Sequence, residues 1–147
     1  MTTNDTKQIV ALYFEEKNHI THKYDKKLII NNRKYRIRPD DAYYFANKVV
    51  IVEYENNLRP VESISKYLWL FRKTNWLNEN IKISLLLTIN NCKVESDYKI
   101  RTESILELGE LLKQLYPDHF DFSLLSYSDL DNDNINISLD LLMAKQW

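Results

Sequence analysis

Val49-Val50-Ile51-Val52-Glu53-Tyr54-Glu55 is a run of β-branched apolar residues that ends in acid. Four such residues in succession read as a strand buried on both faces, which belongs in the middle of a sheet rather than at its edge. Side chains of a strand alternate faces, so Glu53 and Glu55 share one side and Tyr54 takes the other. A charge placed directly after Val52 is partly desolvated, which is costly unless the group is paired or bound to a metal. Just upstream stands Arg38-Pro39-Asp40-Asp41, where a carboxylate opens the preceding strand-like run. A carboxylate there and two more at alternate positions of the next strand converge on one edge of a hairpin. Adjacent residues of a strand point to opposite faces, and the residues alone leave open whether Asp40 or Asp41 turns inward.

Outward from this run, Ile9, Val10, Tyr13 and Phe14 fall at helical spacing and predict a first helix over Thr6 to Asn18. Tyr24 to Ile30 and Arg33 to Phe45 read as antiparallel strands joined by a tight turn at Asn31-Asn32, with a second turn at Asn47-Lys48. Pro60 suits the first turn of a helix, and Ile64, Tyr67, Leu68 and Phe71 give it an apolar stripe, with Arg59, Ser63, Lys66 and Leu70 on a neighbouring face. Ile81, Ile83, Leu85, Leu87 and Ile89 alternate as a fourth strand, a central one given Leu86 on its other side. A third helix is predicted over Thr102 to Tyr116, stopped by Pro117 and holding the only glycine, Gly109. A strand at Phe120 to Leu124 and an element of undecided type from Ile135 form a C-terminal appendage. The order is α-β-β-β-α-β-α plus that appendage, an α/β fold with a mixed sheet flanked by helices.

The 147 residues, 44% of them hydrophobic, suffice for one core, and a single domain over residues 1–147 is expected. One cysteine, Cys92, forbids an intramolecular disulfide, the first residues are polar, and no apolar run has the length of a bilayer span. A soluble protein of the reducing cytoplasm, without a membrane partner, is expected. The net charge of -1 conceals an asymmetry of +5 over residues 1–82 and -6 over residues 83–147. The basic excess concentrates in Lys23, Lys26, Lys27, Arg33, Lys34, Arg36 and Arg38, opposed only by Asp25 and placed directly before the acidic cluster. A polyanion is the natural partner of such a segment, while a merely solvated hairpin face is the plainer reading. Tyr35, Tyr43 and Tyr44 beside it, and Trp69, offer rings for base stacking.

Clustered carboxylates bind hard cations, and Mg²⁺ keeps waters and substrate oxygens in most of its positions, so Asp40, Glu53 and the Tyr54 carbonyl would suffice for one ion. Such an ion activates water and stabilises charge in phosphodiester hydrolysis. Asp129-X-Asp131-X-Asp133 opens like a Ca²⁺ loop, but Asn134 stands where that loop needs glycine, and a solvated turn is the better reading.

Pro39-Asp40, the Glu53-Tyr54-Glu55 triplet and an acid on the first helix, Glu16 or Glu15, resemble the motif of the PD-(D/E)XK, or restriction-endonuclease-like, nuclease superfamily over roughly residues 9 to 89. Pro-Asp selects Asp40 over Asp41. The chain departs from the pattern at Glu55, where the family usually has a lysine that stabilises charge or positions the attacking water. The resemblance implies a restriction-endonuclease-like core that either carries Glu-X-Glu in place of the lysine, as some restriction enzymes of the superfamily do, or draws its basic group from the following helix, as others do. Lys66 is the candidate, with Lys48 weaker. It implies an endodeoxyribonuclease using Mg²⁺, replaceable by Mn²⁺. Metal would sit on Asp40, Glu53 and Tyr54, with Glu55 and Glu16 in support and Lys66 stabilising charge. Lys26, Lys27, Arg33, Lys34, Arg36, Arg38 and Arg59 would hold DNA, and a homodimer would supply two sites for two strands. Glu55 to Tyr67 is also similar to a segment of replication-relaxation proteins of mobile elements. The alternative is therefore a non-catalytic DNA-binding accessory protein of plasmid or phage replication or mobilisation, and a duller one is a protein-interaction domain.

Overall fold

The computed structural model describes residues 3–18, 21–24, 27–55, 60–89, 95–125 and 132–144. Along the chain these form helix α1 (Thr3–Asn18), strand β1 (Thr21–Tyr24), a hairpin of β2 (Ile29–Ile30) and β3 (Arg33–Lys34), and strands β4 (Asp41–Tyr44) and β5 (Lys48–Glu55). Helix α2 (Pro60–Lys73), a 3₁₀ turn (Trp76–Asn78), strand β6 (Lys82–Ile89), helix α3 (Glu95–Leu115), strand β7 (Phe120–Leu125) and helix α4 (Asn132–Ala144) follow.

β5 is buried from Lys48 through Tyr54 because it lies in the middle of a mixed sheet of order β1-β4-β5-β6-β7. It runs antiparallel to β4, with Asp41 opposite Val52 and Tyr44 opposite Val49. It runs parallel to β6, with Val49 opposite Ile83 and Glu55 opposite Ile89. Its alternation splits the core in two, as a strand covered on both faces requires. Val49 and Ile51 join Ile64, Tyr67 and Leu70 of α2 and Ile105 and Leu112 of α3. Val50, Val52 and Tyr54 join Val10, Tyr13 and Phe14 of α1 and Leu139 of α4. The sheet is thus flanked by α2 and α3 on one face and by α1 and α4 on the other. No helix among the described residues is long and apolar enough to cross a membrane.

The expected first two strands are corrected. β1 pairs with β4, Thr21 opposite Tyr44 and Tyr24 opposite Asp41, and the hairpin between them forms its own two-stranded sheet. Its turn is where the Asn-Asn pair placed it. Asn31 (φ 51°) and Asn32 (φ 65°) both adopt the left-handed conformation that a two-residue type I′ turn demands and that asparagine tolerates. Beyond the turn, the Leu28 N–H donates to the Ile37 carbonyl at 3.0 Å and the Tyr35 N–H to the Leu28 carbonyl at 2.8 Å. The hairpin leaves the main sheet because its inner face has its own apolar surface to cover. Leu28, Ile30, Tyr35 and Ile37 pack into the α2/α3 core, and the Tyr35 ring meets Trp76 edge-on at 4.9 Å. Glu79 locks it down, its buried carboxylate accepting from the Asn31 amide and, at 2.9 Å, from the Tyr35 hydroxyl, with Arg33 at 3.7 Å. The Asn31 and Tyr35 hydrogen bonds hold that carboxyl below its ordinary pKa.

β7, expected in an appendage, is a full member of the sheet, parallel to β6 with Ile83 opposite Phe120 and Thr88 opposite Leu125. α3 starts at Glu95 rather than Thr102, and its 21 residues carry the chain back far enough to begin a parallel strand. Asp121 of β7 is buried and paired with Lys113 at 3.3 Å. The last element is a helix. At Gly109 a β-carbon would overlap the ring of Phe122, so α3 approaches β7 as closely as it does only without a side chain there. Gly109→Ala is therefore expected to lower stability by about 1–3 kcal/mol in urea unfolding, the overlap outweighing the ~1 kcal/mol that alanine gains in a helix.

Candidate functional site at the end of strand β5

Asp41 stands opposite Val52, so continuing the ladder by one residue brings Asp40 across from Glu53 and onto the α2 face. The side chains bear this out. The Asp40 N–H points at Glu53 Oε2 at 3.4 Å, and Asp40 Oδ2 accepts the Tyr54 N–H at 2.8 Å. Asp41 turns to the α1 face, where it is buried and accepts the Tyr54 hydroxyl at 2.7 Å. The choice that the sequence left open between the two aspartates is settled by register.

Glu53 is only 3% exposed. Its Oε1 contacts the Lys66 ammonium, and it accepts the Tyr67 hydroxyl at 3.0 Å; both groups come from α2. Thr88 of β6 donates to the Glu53 carbonyl at 3.3 Å. Burial pushes the Glu53 carboxyl from its ordinary 4.5 up to about 7, against the pull of Lys66 and Tyr67 and with a further push from Asp40. Glu55, half-buried, accepts the Ser63 hydroxyl of α2, and its pKa is likewise raised, chiefly by desolvation. Asp40, Glu53, Glu55 and Lys66 therefore meet at one end of β5. The Tyr67 hydroxyl belongs with them although its place in the apolar stripe of α2 marked it as core. The signal was chemical, since a buried tyrosine needs a partner for its hydroxyl.

The donors around Glu53 are oxygens, the kind that a hard divalent cation takes, and two carboxylates with a backbone carbonyl match the small protein share of a Mg²⁺ shell. Among the described residues, no three His, Cys, Asp or Glu side chains stand arranged to hold a metal ion. Each carboxylate has a partner within the protein: Asp40 serves the Tyr54 amide, Glu53 serves Lys66 and Tyr67, and Glu55 serves Ser63.

The remaining predicted residues divide. Lys27, Arg33, Lys34, Arg36 and Arg38 are exposed, alternating with the buried side chains of the hairpin. Lys26 and Arg59 lie outside the described residues, as does most of the Asp129-X-Asp131-X-Asp133 loop. Glu16 lies on α1, its side chain outside the described set, while Glu15 is exposed and its charge acts on Tyr43, on the opposite face from Glu53. Lys48 is buried at the far end of β5 from Glu53, its ammonium 5.4 Å from the centre of the Phe45 ring. No protein-family model, no curated protein and no solved structure matches this chain.

Because the folded state binds the Glu53 proton more tightly than the unfolded chain, its contribution to stability is complete below about pH 4.5, falls as pH rises, and levels off above about pH 7. Glu53→Gln has no such titration. The stability of the parent relative to Glu53→Gln is expected to decline across that window by on the order of 3 kcal/mol, as read from urea unfolding at a series of pH values. A flat difference would contradict the assigned burial.

Proposed function

We propose that this chain is a nuclease of the restriction-endonuclease-like class. Within that class it is a Mg²⁺-dependent endodeoxyribonuclease of the Glu-X-Glu type, with Mn²⁺ able to substitute. The observation that carries the reading is the meeting of Asp40 and Glu53 from neighbouring strands, with the Lys66 ammonium on Glu53. The element order supports it as well. With the β2/β3 hairpin set aside as an insertion, a helix, three antiparallel strands, a crossover helix and a fourth strand parallel to the third are in keeping with the order that the motif resemblance implies.

In this reading Asp40, Glu53 and the Tyr54 carbonyl hold the cation, which when bound supplies an activated water and charge stabilisation on the scissile phosphate. Lys66 would take the place of the motif lysine that Glu55 displaces, and its ammonium would stabilise the charge that develops on the phosphate oxygens. Glu55 accepts a proton from water or helps to hold metal, and Ser63 fixes its orientation. Tyr67 keeps Glu53 turned toward the cluster. The exposed cations of the hairpin hold the DNA backbone, and a second copy of the chain would supply the second cut in a duplex.

One observation favours the non-catalytic alternative, a DNA-binding accessory protein on the same scaffold: each of the three carboxylates already has a partner within the protein. Plasmid cleavage in Mg²⁺ or Mn²⁺ separates the two. Asp40→Ala, Glu53→Ala and Lys66→Ala are each expected to lose about 100-fold or more in rate, and a chelator is expected to abolish cleavage. Since ligation needs the ionised carboxylate and burial raises the pKa of Glu53, the Mg²⁺ concentration giving half-maximal rate is expected to fall as pH rises from acid toward neutrality. Equal rates in the parent, Asp40→Ala and Glu53→Ala would reject the nuclease; absence of Mn²⁺ binding in calorimetry, with salt-sensitive DNA binding retained, would establish the accessory protein.

A further inference from the structure

Between the hairpin and the C-terminal half of α2 lies a groove of about 660 Å³. Four cations line it, Arg33, Lys34 and Arg36 from the hairpin and Lys73 from α2, and no carboxylate does. Its α2 wall includes Trp69, an indole left 42% exposed in a helix whose other large apolar residues are mostly packed away. Arg33 is partly engaged by Glu79, and Lys34, Arg36 and Lys73 have no carboxylate partner among the described residues. An unscreened positive groove around an exposed aromatic ring is the combination that holds single-stranded nucleic acid, the cations following phosphates and the ring stacking on a base. In a duplex the bases already stack on one another and offer that ring no free face.

We infer that this groove binds a single strand, with a base stacked on Trp69, and leads that strand to the carboxylate cluster. The path is laid out on α2. Lys66, Trp69 and Lys73 are spaced by three and then four residues, so they form one stripe, and Trp69 lies about 4.5 Å along the axis from Lys66. Lys66 in turn is the residue that touches Glu53. A strand whose base is held at Trp69 therefore has its next phosphate within reach of Lys66. The inference deepens the nuclease reading and rests on it for the choice of a nucleic acid as ligand. It names unpaired strand as the preferred substrate, with duplex as the competitor.

The test is binding of labelled oligothymidylate and of a hairpin duplex of equal length, in chelator, so that no cleavage intervenes. The parent is expected to bind the single strand more tightly and to lose indole fluorescence as it does. Trp69→Ala is expected to weaken single-strand binding about 10-fold, Trp69→Phe to restore most of it, and duplex binding to change little in either. Replacing Arg36 and Lys73 together by glutamine is expected to reduce the salt slope for the single strand by about 0.7 per charge removed. Single-strand affinity unchanged in Trp69→Ala, or single strand and duplex weakened alike, would overturn the inference. Loss of Mg²⁺-dependent duplex cutting in Asp40→Ala, alongside a parent that ignores single strands, would leave the nuclease standing and remove the groove.

Discussion

The burial of Glu53 organises one end of the molecule. A carboxylate at 3% exposure costs several kcal/mol unless its oxygens are met, and here they are met from two directions while a third contact fixes the backbone. Lys66 and Tyr67 come from α2, the Asp40 amide comes from the segment entering β4, and Thr88 of β6 holds the backbone at the same residue. Adjacent residues on α2 reach one oxygen only if the helix has a definite rotation about its axis relative to β5. The requirement to satisfy one charge thus sets how α2 lies on the sheet, and with it where Ser63, Lys66, Trp69 and Lys73 point.

Compensation at this site is incomplete. Desolvation outweighs the ammonium and the hydroxyl, and the neighbouring Asp40 adds repulsion, so the Glu53 carboxyl holds its proton toward neutrality. Glu55 is raised for the same leading reason. Acids packed this closely against one ammonium store an electrostatic deficit that a further positive charge would relieve, which is the physical basis for reading the cluster as more than a structural ion pair. A purely structural design would do as well with a neutral, well-packed side chain in place of Glu53.

Much of this was legible in the residues. The buried character of Val49 to Val52 and the shared face of Glu53 and Glu55 follow from period-2 alternation, and the reach of Lys66 from α2 follows from helical spacing. The Asn-Asn turn also follows from local backbone preference. The pairing of β1 with β4 did not, because a hairpin that turns tightly can either extend a sheet or fold away from it, and only the tertiary destination of Leu28, Ile30, Tyr35 and Ile37 decides. The strand at Phe120 to Leu124 was read, but its place in the main sheet was not, for a related reason: Asp121 alternates with the apolar residues as a solvent-facing group would, and its partner Lys113 lies on α3 rather than nearby on the strand. The choice between Asp40 and Asp41 depended on register against β5, which a single strand does not encode.

In the nuclease proposed above, Glu55 in place of the motif lysine would have a geometric consequence. A lysine on β5 would be carried by the central strand and would be independent of α2. Moving the ammonium to Lys66 places it on the element that also carries Trp69 and Lys73, and the hairpin that completes the groove is docked against the same core by Tyr35 and Trp76. Any shift of α2 along or about its axis then moves the ammonium relative to Glu53 and the indole relative to the hairpin cations at the same time. In that proposal charge stabilisation and strand placement would be one mechanical variable, held by the Tyr67 hydroxyl bond to Glu53 on one side and by the packing of Ile64, Leu70 and Phe71 on the other.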